Sequence, residues 1–133
     1  MKKLLIIPMF FVYYIGMGQN AITTDSAFII GESIRVGINL VVAQYDFPKV
    51  MDFRNAEQAC YKLGKGWRLP SKDELNSLYL SKDKIGGFVD NDYWSSTQTY
   101  YNSSAWVQNF SDGSNVDYAN KYVRIHVRAV RAF

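Results

Sequence analysis

The sequence is poor in the residues that form covalent cross-links and proton-transfer sites. It contains one cysteine, Cys60, and one histidine, His126, among 133 residues. A single cysteine cannot form an internal disulfide, so packing must stabilise the fold. No local arrangement of serine, histidine and acid indicates a hydrolase, and the arginines around His126 favour a surface or ligand-contacting role over a catalytic base. We therefore expect no enzymatic activity.

The sequence also lacks a large excess of charge of either sign. The chain carries 15 Lys and Arg against 12 Asp and Glu, a formal net charge of +3. Loss of Lys2 and Lys3 with a leader peptide would leave 13 basic residues against 12 acidic ones, a net charge of +1. A charge this small does not supply the positive surface of a nucleic-acid-binding protein. Nucleic acid is therefore excluded as an expected partner.

Long apolar runs are absent. The longest, residues 4–15, is shorter than the roughly 20 residues that cross a bilayer as a helix. Two lysines precede it and Gly16-Met17-Gly18 follows it, which is the order of a secretory signal peptide. We expect residues 1–18 to be this signal peptide and the mature protein to be exported to the periplasm, cell surface or medium. After processing it should have no stable membrane span.

The remaining chain is long enough for one domain, and its aromatic residues supply core material. We divide it into an N-terminal segment with the first strand, residues 19–50, and a domain core, residues 51–133. Apolar residues alternate with others at Ile34, Val36, Ile38, Leu40 and Val42. This period of two predicts a strand with one buried face, which ends before Pro48.

Two helices are predicted in the first half of the domain core. Asp52 is a capping residue and Gly64 a stop signal, with apolar residues spaced by three and four between them. Cys60 belongs to this apolar face, and burial would make its thiol a poor nucleophile. The sequence Ser71-Lys72-Asp73-Glu74 is a capping box for a second helix, which should end near Leu80.

The second half of the domain core is predicted to form short strands joined by polar connections. Apolar alternations at 93–97 and 106–110 predict two strands, and 111–114 is a turn signal. A closing strand is predicted near the C-terminus, with alternate side chains on opposite faces. The buried face would carry Val123, Ile125 and Val127, and the polar face Arg124, His126 and Arg128.

The one acidic cluster, Asp90-Asn91-Asp92, does not indicate calcium. An EF-hand loop starting there would need glycine at its sixth position and an acid at its twelfth, where Ser95 and Tyr101 stand. The residue triplets of calcium-dependent sugar-binding lectins are also missing from the sequence. We expect neither a metal ion nor another cofactor.

Four motifs occur in an order that resembles the Lcl C-terminal domain family. They are the segments 66–75 and 93–97, Ala105-Trp106 with Phe110, and the segment 127–131. The resemblance spans about residues 51–133, and the family's fold is similar to that of C-type lectins. It implies an α+β fold, with two helices packed on small, mostly antiparallel sheets and long polar loops. The motif aromatics Trp67, Trp94, Trp106 and Phe110 should be core residues, and Arg68 an ion-pair or carbonyl-binding anchor, so the motifs identify the fold and not the site.

The resemblance also implies where a ligand face would lie. In lectin-like folds the long loops before the last strands form this face, and here they correspond to 98–104 and 111–121. These loops are rich in tyrosine, serine and asparagine, as adaptable binding surfaces are. The predicted ligand-binding residues are Tyr100, Tyr101, Asn102, Asp117, Tyr118, Asn120, Tyr122 and His126.

These observations favour a secreted or surface-exposed ligand-binding module without enzymatic activity, whose ligand is a protein or glycan on another surface. The alternative is a structural or accessory subunit of a surface fibre or adhesin assembly. Some proteins with this domain resemble targets of diversity-generating retroelements, which randomise asparagine codons. The segments 115–120 and 122–126 are compatible with such diversification.

Overall fold

The computed structural model describes residues 34–36 and 40–132, without the side chains of residues 34–36, 118 and 119. The predicted signal peptide and Ile38 of the predicted first strand lie outside the described residues. In chain order the elements are β1 (Ile34–Val36), β2 (Leu40–Val42), α1 (Phe53–Lys62), α2 (Lys72–Leu80), α3 (Lys82–Ile85), β3 (Asp92–Gln98), β4 (Ser104–Asn109), β5 (Asn115–Asn120) and β6 (Val130–Ala132). None of the helices in this described part is long and apolar enough to cross a membrane.

The strands form two small antiparallel sheets, with the orders β1-β2-β6 and β3-β4-β5. Isolated β-bridges connect the C-terminal segment to the rest of the fold. His126, before β6, bridges to Tyr93, and Val130, the first residue of β6, bridges to Arg68. Helices α1 and α2 both contact β3, and α2 also contacts β4. The α+β class, with helices packed on small antiparallel sheets, is confirmed.

Both predicted helices begin at the expected capping residues. The Asp52 carboxylate accepts a hydrogen bond from the Asn55 amide, 2.9 Å away, at the start of α1. At α2 the Ser71 hydroxyl accepts from the Glu74 amide while the Glu74 carboxylate accepts from the Ser71 amide. The apolar face of α1 is buried, and Cys60 lies within it as predicted.

The prediction of one long first strand with a single buried face is wrong. The segment forms two strands, β1 and β2, which pair with each other. Strand β2 is central in its sheet and lies between two hydrophobic clusters, so both of its faces are covered. Val41 joins the cluster that contains Trp94, whereas Leu40 and Val42 join the cluster that contains Phe110.

The closing strand also differs from its prediction. Strand β6 begins only at Val130, and the segment before it makes isolated bridges instead of a regular ladder. Ile125 and Val127 are buried as expected, but Val123 is exposed. Arg128, predicted on the polar face, is fully buried because Asp46 and the main-chain oxygens of Ala43 and Gln44 compensate its charge.

Two further expectations need correction. Residues 111–114 and 121 of the predicted second loop lie in connections, but β5 occupies Asn115–Asn120 between them. Trp106 is only partly buried, and the Lys72 ammonium lies 3.4 Å from its ring centroid. A cation over the ring face stabilises this half-exposed position without full burial. The other predicted core aromatics, Trp67, Trp94 and Phe110, are buried.

Candidate ligand-binding surface

Exposed tyrosines cluster at one end of the β3-β4-β5 sheet. Residues 99–103 connect β3 to β4, and within this loop Tyr100 is 94% and Tyr101 is 72% exposed. Their rings contact each other edge to face, with centroids 5.4 Å apart. Tyr122, just after β5, is 87% exposed. Large aromatic side chains left in solvent by a well-packed chain are suited to being covered by another molecule.

Hydrogen bonds fix the β3–β4 loop from within. The Thr99 hydroxyl donates to the Tyr101 carbonyl over 2.9 Å, and the Ser104 amide donates to the same carbonyl over 3.1 Å. The Thr99 amide in turn donates to the Ser104 carbonyl. These hydrogen bonds restrain the backbone that carries the two tyrosines, and such restraint lowers the entropic cost of binding.

A second connection, which follows β5, lies beside this loop. The Lys121 amide donates to the Ser103 carbonyl over 3.1 Å, and the Lys121 ammonium donates to Gln98 Oε1 over 2.8 Å. The Asn120 side chain accepts from the Tyr122 amide and holds that turn. Both connections thus lie at the same end of the β3-β4-β5 sheet. We call this surface the tyrosine tip: Tyr100, Tyr101, Asn102, Asn120 and Tyr122.

The other three predicted ligand-binding residues occupy different positions. Asp117 is exposed within β5, the edge strand, and Tyr118 follows it there; the structure gives only the backbone of Tyr118. His126 is partly buried, and its ring packs against Tyr93 with centroids 5.5 Å apart. It pairs with β3 at the edge opposite β4. The structure therefore brings five of the eight residues together and leaves His126 apart.

The family motif residues stabilise the fold and do not line the tip. Trp94 is fully buried and donates from its indole nitrogen to the Met51 carbonyl over 2.8 Å. Arg68 makes two hydrogen bonds to the Glu74 carboxylate, of 2.7 and 2.8 Å, and a third to the Leu69 carbonyl. Arg68 is thus the ion-pair and carbonyl-binding anchor that was predicted, although its side chain is partly exposed.

Cys60 and the possible metal ligands were the other candidates for chemistry among the described residues. Burial raises the pKa of the Cys60 thiol to about 12, so the reactive thiolate is rare at neutral pH. Within the described ranges, no group of three or more His, Cys, Asp or Glu side chains is placed to hold a metal ion. The tyrosine tip itself presents phenol and amide groups, whose chemistry is hydrogen bonding and stacking.

Sequence reasoning missed a groove next to the tip. This open groove, of about 430 Å³, is lined by Pro48, Lys49, Val50, Met51, Asp52, Asn55 and Arg124. Its walls come from two segments that are distant in sequence, so no local pattern could have revealed it. Only the exposed cations, Lys49 after a proline and Arg124 two residues after Tyr122, could have suggested a surface role.

A search among curated proteins found no match to this chain. The family model of the Lcl C-terminal domain matches residues 38–131, which is more than half of the chain. This span includes the three described helices and both sheets apart from β1 and the last residue of β6. The chain therefore belongs to the Lcl C-terminal domain family.

Proposed function

We propose that the protein is an exported, non-enzymatic binding module and that its tyrosine tip contacts a protein or glycan ligand. One observation carries this proposal: three tyrosines, Tyr100, Tyr101 and Tyr122, are at least 72% exposed at one end of a sheet whose loops are hydrogen-bonded in place. Tyrosine gives a large contact area at low cost in side-chain entropy. The packing of helices on small antiparallel sheets supports the finer assignment to a C-type-lectin-like fold.

The tip is also suited to sequence variation, which supports the hypothesis of a diversified binding protein. Within the segments 115–120 and 122–126, the exposed residues that belong to neither hydrophobic cluster include Asn115, Asp117, Asn120 and Tyr122. Substitutions there should change the ligand without changing the fold. Trp94, in contrast, is fully buried within the first cluster and cannot vary freely.

A binding experiment tests the proposed function. The purified protein is first screened on arrays of glycans and of surface proteins, and the variant Tyr100→Ala/Tyr101→Ala/Tyr122→Ala is then compared with Tyr61→Ala. Tyr61 is the matched control because it is 79% exposed but lies on α1. We expect the tip variant to bind at least about tenfold more weakly, since tyrosines often dominate interface energies. The control variant should bind normally, and both variants should keep the wild-type melting temperature.

Three results would count against this proposal. Normal binding by the tip variant would place the site elsewhere, and a large fall in its melting temperature would make the tyrosines structural. The accessory-subunit alternative would be favoured if no ligand on the arrays bound and the wild-type protein copurified with one fixed partner. The tip variant should then no longer copurify with that partner. Export is tested separately: mass spectrometry of the secreted protein should give an N-terminus close to Gln19.

A further inference from the structure

The groove beside the tyrosine tip has two well-fixed walls. One is the segment from Pro48 to Asp52 and the other carries Arg124. Two hydrogen bonds join these walls: the Met51 amide donates to the Ile125 carbonyl over 3.0 Å, and the Ile125 amide donates to the Met51 carbonyl over 2.9 Å. A volume of about 430 Å³ is large enough for one or two side chains of a ligand.

The lining of the groove has a net positive charge, with Lys49 and Arg124 against one acid, Asp52. Lys49 and Arg124 are both exposed, and neither forms an ion pair or side-chain hydrogen bond with another described residue. The single acid of the lining, Asp52, is already engaged: its two carboxylate oxygens accept hydrogen bonds of 2.9 and 2.8 Å from Asn55. The two cations are therefore available to a carboxylate brought by a ligand.

The rest of the lining is apolar. Pro48, Val50 and Met51 supply this part, and Val50 is 40% exposed. A second open groove, of about 350 Å³ beside Tyr61 and Trp67, differs in that its one cation, Arg68, is paired with Glu74. Of these two grooves, the one beside the tip thus combines apolar surface with two cations that form no ion pair with a described residue.

We propose that this groove binds an acidic peptide segment, in which a carboxylate side chain lies next to an aliphatic one. The carboxylate pairs with Lys49 and Arg124, and the aliphatic side chain covers Val50 and Met51. A sulfated glycan fits less well, because it offers many anionic groups but no aliphatic side chain for the apolar lining. This proposal does not depend on the ligand of the tyrosine tip.

Fluorescence anisotropy with defined peptides tests the proposal on the full chain. The probe is a labelled peptide with Leu-Glu-Asp between Gly-Ser flanks, and the reference peptide has Leu-Gln-Asn instead. We expect the acidic peptide to bind at least tenfold more tightly than the reference. The variant Lys49→Gln/Arg124→Gln should lose this preference, whereas Lys65→Gln/Lys84→Gln, with two exposed lysines elsewhere, should keep it.

Two more variants separate this groove from its alternatives. Val50→Ser should weaken binding of the acidic peptide, and Tyr100→Ala/Tyr122→Ala should leave it unchanged. The proposal is overturned if the acidic peptide does not bind at millimolar concentration, if both peptides bind equally, or if the Lys49 and Arg124 variant binds normally. It is also overturned if a sulfated hexasaccharide binds more tightly than the peptide and is insensitive to Val50→Ser, or if only the tyrosine variant loses peptide binding.

Discussion

Two arginine–carboxylate pairs of similar length lie in very different surroundings. Arg128 Nε is 2.6 Å from Asp46 Oδ1, and the Arg128 side chain is fully buried. Arg68 Nη1 is 2.7 Å from Glu74 Oε1, but the Arg68 side chain is 44% exposed. Removing one partner of a buried pair leaves a charge in low dielectric, whereas water screens the partner of an exposed pair. The two pairs should therefore respond differently to the loss of one member.

We expect Asp46→Ala to lower the free energy of unfolding by about 3–5 kcal/mol, because it leaves the Arg128 guanidinium buried without a counter-charge. It also removes the acceptor of the Tyr93 hydroxyl, whose pKa is raised by burial and by this hydrogen bond. Arg68→Ala should cost about 1 kcal/mol or less. Urea denaturation measures both values, and equal losses would contradict the argument from burial.

Low pH should destabilise the fold, because protonation of Glu74 removes the charge that pairs with Arg68. The hydrogen bond and charge of Arg68, together with the Ser71 amide, lower the pKa of Glu74 from its usual 4.5 to about 2. The lowered pKa means that this carboxylate stabilises the fold above about pH 4.5 and loses that effect as the pH falls towards 2. After discounting for solvent screening, the contribution is about 1 kcal/mol.

The matched control for this titration is Glu74→Gln, which keeps a capping oxygen but has no charge. Wild type should be more stable than this variant by about 1 kcal/mol at pH 7, and the difference should shrink between pH 4.5 and 2. Urea unfolding at several pH values measures it. A difference that stays constant across this range would show that the charge of Glu74 is not responsible.

At the scale of elements, the β4–β5 connection is a tight turn held by its own side chains. The Asp112 carboxylate accepts hydrogen bonds from the Ser114 amide and hydroxyl, which lowers the pKa of Asp112. Gly113 has a φ of +80°, and a Cβ there would lie 2.7 Å from Cζ of Tyr79. The Tyr79 ring cannot move freely, because it packs edge to face on Phe110 at 5.5 Å.

We expect Gly113→Ala to destabilise the protein by about 2 kcal/mol or more, from backbone strain and from overlap with Tyr79. A double-mutant cycle separates the two causes. In a Tyr79→Ala background the overlap is removed, so the same substitution should cost clearly less. An unchanged cost in that background would assign the whole effect to the backbone conformation of the turn.

Local signals explain which elements the sequence could predict. The capping residues Asp52 and Ser71 act within one helical turn, so both helix starts were visible. The environment of Arg128 and of β2 depends on contacts with distant segments, such as the 85-residue separation between Arg128 and its acceptor Ala43. Periodicity assigns alternate faces but does not reveal that a sheet is covered on both sides or that a buried charge has a partner.

The candidate surfaces show the same contrast between features that local sequence signals predict and features that contacts between distant segments define. Tyr100 and Tyr101 were predicted as ligand contacts because a polar loop has no packing need for tyrosine, and both are highly exposed. His126 stays a prediction: its ring is partly buried against Tyr93, away from the tip, and this contact depends on the tertiary structure. The groove between Lys49 and Arg124 depends on a bridge between Met51 and Ile125, which only the tertiary structure defines.

At the scale of the whole molecule, the two hydrophobic clusters are joined through a shared strand. Val41 of β2 belongs to the cluster with Trp94, while its neighbours Leu40 and Val42 belong to the cluster with Phe110. Arg128 adds a polar connection, since it donates to Gln44 and to Gly86. Loss of either cluster would therefore expose one face of β2 and weaken the packing of the other.

This sharing predicts that the domain unfolds as one cooperative unit. In urea, tryptophan fluorescence reports on Trp67 and Trp94 in the first cluster and on the partly buried Trp106 of β4. It should change together with far-UV circular dichroism, which reports on all elements. Native-state hydrogen exchange provides the sharper comparison, because Cys60 in α1 and Leu78 in α2 represent the two clusters. Their amides should exchange with the same opening free energy, equal to that of global unfolding. A lower value at Leu78 would mean that α2 and its cluster open while the first cluster remains folded, so that β2 does not couple the two.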